Sequence, residues 1–337
     1  MTAAEGVELR PLAEAVDAAE QVIDDYVRAG AVAWGEDLAP AVEPLRGAIR
    51  LGRMSGWVAC RGERSESRPK GVPKRKWSGR SVSGAGDQGL GLIVYLERAS
   101  SGRLSFVHLL SSSSEEGLAA RLLGHVVDRL QAAGFRHITS QANLVAHQEA
   151  IHLAYVGLGF RAIGRMVMSV ALAGEPPARS SVPGYDLSAW DDRLLERVAQ
   201  LFHDANRDTV DALIYPQFRT FEETEQMVQA VRDGGAGAFA EEASGIVLHG
   251  RVLCGAIMLV RPELGQGFVV VVAIAPAHQG RGVGRALVSR TLASAWEAGI
   301  RTVELTVTGE NRPAVALYQR LGFSLKRRMA AYVWEAT

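Results

Sequence analysis

A mixed α/β architecture in two tandem domains is what this chain of 337 residues predicts, on three observations. First, an apolar stretch ending in Val272, Ala273 and Ile274 runs into a glycine-rich turn, Gln279 to Arg285, that opens a helix. Second, residues 118–136 align with 283–301 at an offset of 165, and residues 153–160 with 316–323 at an offset of 163. A single period of that size is a domain rather than a solenoid unit. Third, residues 174–184 are rich in proline, glycine and serine and have no periodicity, which marks a linker. The expected division is 1–173, the linker 174–184, and 185–337.

The elements follow in order from pattern. In the first copy, strand-like alternation is read at 7–9, 56–60, 90–97 and 104–110, and helical spacing at 12–28 and 38–49, with 118–136 read as a helix followed by Ala-Gly-Phe-Arg. In the second copy, strands are read at 185–190, 245–248, 251–260 and 269–274, with His249-Gly250 as a hairpin turn. Its helices are read at 192–206 and 221–232. In the aligned helices, Leu118, Leu122, Leu123 and Val127 match Val283, Leu287, Val288 and Leu292 on the apolar face.

Composition narrows the function. Basic and acidic residues balance at 37 each, so no global field favours nucleic acid or an acidic membrane. The apolar run 268–275 is far too short to span a bilayer. The N-terminus is acidic (Glu5, Glu8, Glu14, Asp17) and lacks a secretory pattern, so a cytoplasmic location is the expectation. Cys60 and Cys254 are expected as buried reduced thiols, and no metal is expected. Residues 61–89 read as a disordered insertion in the first domain: 61–80 alone hold eight basic and two acidic residues with few apolar ones. Only Trp77 is aromatic there, which is thin for base stacking.

The glycine turn aims unpaired backbone N–H groups at one point, where the helix dipole also favours negative charge. It is a pyrophosphate cradle. Arg285 stands at the third glycine position of a dinucleotide fingerprint, and no lysine follows as in a Walker loop. The spacing Gln279-x-x-Gly282-x-Gly284 resembles the acyl-CoA loop of the GNAT acetyltransferase superfamily. Downstream, Asn311, Ala314, Leu317, Tyr318, Gly322 and Phe323 match its second signature, N-x-x-A-x-x-L-Y-x-x-x-G-F.

The resemblance implies two GNAT-like domains, each a twisted, mostly antiparallel sheet flanked by helices, with a V-shaped split between central strands. It implies an acetyl-CoA-dependent N-acetyltransferase acting on a small-molecule or peptide amine; a non-catalytic acyl-CoA-binding sensor or assembly module is the alternative. The main chain of Val272, Ala273 and Ile274 would hold pantetheine. Gln279, Gly280, Arg281, Gly282, Val283, Gly284 and Arg285 would hold the diphosphate. Asn311 would cap its helix and lie near the cofactor, and Tyr318 would act as general acid.

Some family members carry a glutamate base where this chain has Thr306. Glu304, two residues earlier on the same strand face, is the candidate here. His203, Asp204, Asp208, Asp211 and Tyr215 are candidates for the acceptor wall. At the repeat offset, Gln279, Gly280 and Arg281 become Ser114, Glu115 and Glu116, Gly284 becomes Ala119, and Asn311 becomes Gln148, although Tyr155 matches Tyr318. Carboxylates in place of phosphate donors predict a first copy without tight CoA binding.

Overall fold

The computed structural model describes residues 6–61, 87–98, 101–113, 116–141, 146–262 and 265–336. Nearly all of the basic insertion, along with Ser114 and Glu115, lies outside them. Arg61, Gln88 and Gly89, which the sequence assigns to the insertion, sit in paired strands, Arg61 opposite Gln88 and Gly89 opposite Cys60. The chain divides into two compact units, residues 1–162 with 331–337, and residues 163–330. One cut, after residue 162, falls before the expected linker, and the other, after residue 330, falls near the end of the last strand. The reason is that two strands are shared out across the units: β6 (Arg161–Ala171) falls mainly in the second, and the end of the last strand, β13 (Ser324–Glu335), falls in the first.

The first unit carries β1 (Val7–Pro11), α1 (Val16–Trp34), α2 (Ala39–Arg50), β2 (Ser55–Arg61), β3 (Gln88–Arg98), β4 (Ser101–Leu109), α3 (Leu118–Ala132), β5 (His137–Ser140) and α4 (Gln148–Gly157). β1 through β4 pair antiparallel in sequence order, and β4 pairs parallel with β5. The end of β13 closes the row antiparallel to β5, with Tyr332 opposite Ser140. Helix α1 runs past the expected end at residue 28 because nothing stops it until Gly35, a left-handed C-cap at φ 67°. Inside it, a Cβ at Gly30 would run into the Leu38 side chain, which would have to shift. Ala19, Val22 and Ile23 of α1 pack on Val58, Leu92 and Val94 of the sheet.

The second unit carries β7 (Asp186–Ala189), α5 (Leu195–Asn206), α6 (Val210–Ile214), α7 (Phe221–Arg232), the two-residue β8 (Ala238–Phe239), β9 (Gly245–His249), β10 (Val252–Arg261), β11 (Gln266–Ile274), α8 (Val283–Glu297), β12 (Thr302–Thr308), α9 (Arg312–Arg320) and the first part of β13. The strand order is β13-β6-β12-β11-β10-β9-β7, with β8 on β10. All pairings with a given register are antiparallel except β11 with β12. Two cores cover the two faces. Leu287, Val288 and Leu292 of α8 pack with Leu305 and Val269 on one face. Val198, Phe202 and Val228 of α5 and α7 pack with Met258, Val271 and Ala273 on the other.

The expected split is present. β10 and β11 shift register between Met258 and Leu259, so that Val270 bulges. The β11–β12 ladder ends at Val269 opposite Leu305, while β12 stays paired with β6 as far as Thr308. Beyond Val269, one edge of β11 faces an open wedge.

Candidate active site

The wedge leads to the glycine turn. After the bulge, Val272 and Ile274 turn toward the α8 core, and Val271 and Ala273 toward that of α5 and α7. A short 3₁₀ turn at Pro276–His278 follows, and the Gln279 side chain donates back to the Ile274 carbonyl at 2.9 Å. Gly280 (φ 73°) and Gly282 (φ 83°) take left-handed conformations that a side chain would strain. A Cβ at Gly280 would have nothing within 4 Å, so the ground over the turn is open. Helix α8 then starts with no side-chain cap, and its first external bond is Ala286 N–H to the Gly282 carbonyl. Among the described residues, the amides from Gly280 to Arg285 have no hydrogen-bond partner. Arg281 and Arg285 are exposed and likewise make no ion pair among them. Unpaired N–H groups, a helix dipole and two free guanidinium groups make this turn locally electropositive, a setting that suits an anionic group.

Helix α9 begins at Asn311, whose side chain accepts from Ala314 N–H at 3.2 Å, as a cap should. One face of α9 brings Tyr318 into the α8 core, edge-on to Phe323 at 5.6 Å between ring centres. Its ring is buried, yet its hydroxyl has no hydrogen-bond partner among the described residues. Burial first, and then the nearby Asp211 carboxylate, push the phenol up to about 12. It holds its proton throughout the neutral range.

A polar cluster stands near that phenol. Asp211, on α6, accepts at Oδ1 from Arg165 Nη1 at 2.6 Å and from the Thr308 hydroxyl at 2.7 Å. Arg165 Nη1 also donates to Thr308 Oγ1 at 2.8 Å, and Nη2 to the Tyr215 hydroxyl at 3.1 Å. Arg165 and Thr308 are cross-strand partners on β6 and β12, so the sheet register itself joins them.

Of the five acceptor-wall candidates, the structure brings Asp211 and Tyr215 together and puts the other three elsewhere. His203 is buried, its Nδ1 on the Phe218 carbonyl at 3.0 Å, where it ties α5 to the chain before α7. Asp204 receives Gln200 Nε2 at 3.0 Å, and Asp208 lies exposed 3.4 Å from Arg207. Glu304 sits in the paired part of β12, opposite Phe268, and is engaged by Lys326 Nζ at 2.6 Å. Sequence reasoning missed Arg165 and Thr308. The available signals were an arginine in the interior of the apolar run 162–171 and a third threonine or carboxylate at period two after Glu304 and Thr306.

The Acetyltransferase (GNAT) family matches residues 198–323, from α5 through the end of α9. This segment is a GNAT acetyltransferase domain. A mycothiol acetyltransferase from Tsukamurella paurometabola is 41% identical over 98 residues, covering 29% of this chain and 32% of that protein. The chain thus aligns with about a third of that relative's length. A second, from Pseudarthrobacter chlorophenolicus, is 29% identical over 248 residues, covering 69% of this chain and 71% of that protein.

Among solved structures, a GCN5-related N-acetyltransferase from Sphaerobacter thermophilus superposes with a TM-score of 0.69 at 19% identity, covering 99% of this chain and 97% of that one. A tandem GNAT protein from the clavulanic acid biosynthesis pathway superposes with a TM-score of 0.59 at 16% identity, covering 98% and 99%. At those identities the likeness is one of fold, and the fold is tandem GNAT.

The first unit, by contrast with the GNAT domain, has its counterpart tyrosine closed off. Tyr155 is fully buried, donates to Ser140 Oγ at 2.8 Å, and stacks on Tyr332 with ring centres 4.0 Å apart. Burial drives its phenol upward even further than that of Tyr318. Gly117 keeps the left-handed cap of α3, at φ 75°, but Glu116 precedes it. Gln148 does not cap α4; the N-cap is His147, which makes no side-chain cap bond. Asp25 fills the turn after β4, accepting from the Ser111 amide and hydroxyl, each at 2.7 Å, and from His108 at 2.9 Å.

Proposed function

We propose that this chain is an acetyl-CoA-dependent N-acetyltransferase whose chemistry is carried by its second unit. The observation that carries the reading is the alignment of three open features along one wedge. These are the free edge of β11, the unpaired amides of Gly280 to Arg285, and the unpartnered hydroxyl of Tyr318. Each answers one part of an acyl-CoA. The main chain of Val272 to Ile274 binds the two pantetheine amides as a neighbouring strand would. The amides of Gly282, Val283 and Gly284, with Arg281 and Arg285, hold the diphosphate.

Acetyl-CoA supplies a thioester that a neutral amine attacks, so that a C–N bond forms and the C–S bond breaks. Tyr318 donates a hydrogen bond to the departing sulfur, which its retained proton allows. The amine proton needs an acceptor. Glu304 is poorly suited, because Lys326 holds it and it lies below the opening of the wedge. Asp211 is better suited. Its Oδ1 is fixed by Arg165 and Thr308, its Oδ2 has no partner among the described residues, and its side chain is 24% exposed. Asp211 therefore receives the amine and takes its proton as the nitrogen becomes positive on bond formation.

The acceptor is a primary amine, and the aligned relatives, named as mycothiol acetyltransferases, support a small molecule as its carrier. The first unit does not bind the cosubstrate. The test is thiol release by the full chain from acetyl-CoA with a panel of primary amines. Release that depends on both substrates is expected; cosubstrate binding with no transfer to any amine would leave a non-catalytic binding module instead.

A further inference from the structure

The guanidinium of Arg165 is used in a way that a purely structural ion pair would not require. The side chain is 3% exposed and sits on β6, which precedes the proline-rich stretch in sequence and lies outside the segment matched by the GNAT family. An arginine paired with a carboxylate frequently binds both of its oxygens in a parallel fork. Here the fork is spread over three groups: Asp211 Oδ1 on α6, Thr308 Oγ1 on β12, and the Tyr215 hydroxyl just after α6. The guanidinium carbon also stands 5.3 Å from the centre of the Tyr215 ring. The second carboxylate oxygen of Asp211 is left free. Helix α6 has only five residues, so it has little packing of its own to hold that carboxylate in place.

We propose that Arg165 is a positioning residue of the acceptor site. It holds Asp211 and Tyr215 as one fixed wall, so that Asp211 Oδ2 meets the head group of a primary amine. This deepens the N-acetyltransferase reading and rests on it. It also means that the working site takes an essential side chain from the sequence of the first repeat. A lysine cannot replace the arginine, because a single ammonium has no planar fork to reach three acceptors.

The test uses the full chain with the variants Arg165→Lys, Arg165→Ala and Thr308→Val. Steady-state kinetics are measured in the amine, and acetyl-CoA affinity is measured separately by native mass spectrometry. All three variants are expected to raise KM for the amine by about tenfold or more, with acetyl-CoA affinity within about twofold of wild type. Added guanidinium ion, below denaturing concentration, is expected to restore Arg165→Ala several-fold and Arg165→Lys hardly at all. An unchanged amine KM in Arg165→Lys and Thr308→Val overturns the proposal. So does a parallel loss of acetyl-CoA affinity with no rescue, which marks a merely structural residue. Should Arg165→Ala fail to fold, the other two variants decide. A wild-type chain that acetylates no amine removes the underlying reading instead, and is recognised without any variant.

Discussion

Tyr318 and Tyr155 are the same residue at the same place in two copies of one helix, and their surroundings give them opposite characters. Tyr155 spends its hydroxyl on Ser140 and lies flat against Tyr332. Tyr318 keeps its hydroxyl unpaired beside an open wedge. We therefore expect Tyr318→Phe to lower kcat by roughly one to three orders of magnitude while acetyl-CoA affinity stays near normal, as read by transfer kinetics beside direct binding. Tyr155→Phe should leave turnover unchanged. Features that depend on local spacing were legible in the sequence: the place of Tyr318 on its helix and the cap at Asn311 follow from positions within one helix. Arg165 was not, because its partners lie 46, 50 and 143 residues away and only the folded register brings them together. His203 misled for a related reason. Polar neighbours in sequence suggested a solvated wall, but its own ring turns inward to the Phe218 carbonyl.

At the scale of elements, the turn before α8 is governed by backbone conformation more than by space. At Gly282 a Cβ would touch only Val182, at 3.9 Å, but φ is 83°. Gly282→Ala is expected to cost about 1–2 kcal/mol of stability in urea unfolding, from backbone strain alone. It should also weaken acetyl-CoA binding, since relief of that strain moves the amides that face the diphosphate. Periodicity located most helices and strands, because apolar faces at period two or 3.6 are local features. The ends were less legible. The expected helix at 12–28 is a 3₁₀ turn at Leu12–Glu14 followed by α1 to Trp34, where only Gly35 supplies a stop. Helix α6 went unseen, since one turn and a half carries too little pattern to read. The bulge at Val270 has no sequence signature in a run of four valines.

At the scale of the whole molecule, the repeat was legible as two copies, but the sharing of β6 and β13 was not, because strand pairing between distant segments leaves no trace in either one. Burial raises the phenols of Tyr318 and Tyr332 to about 12 and that of Tyr155 higher, against an ordinary value of 10. The folded chain thus keeps protons that the unfolded chain gives up. This contribution is complete below about pH 10 and is lost as pH rises toward 12. Urea midpoints should fall over that window, and Tyr155→Phe should lessen the fall. Underlying all of this is the claim that one acyl-CoA docks at the start of α8 and nowhere else on the chain. Native mass spectrometry of the full chain titrated with acetyl-CoA tests it most directly, with the double variant Arg281→Glu, Arg285→Glu alongside. One molecule bound per wild-type chain, and none retained by the variant, is the expected result. Two molecules per chain, none, or binding indifferent to the reversed charges would contradict it.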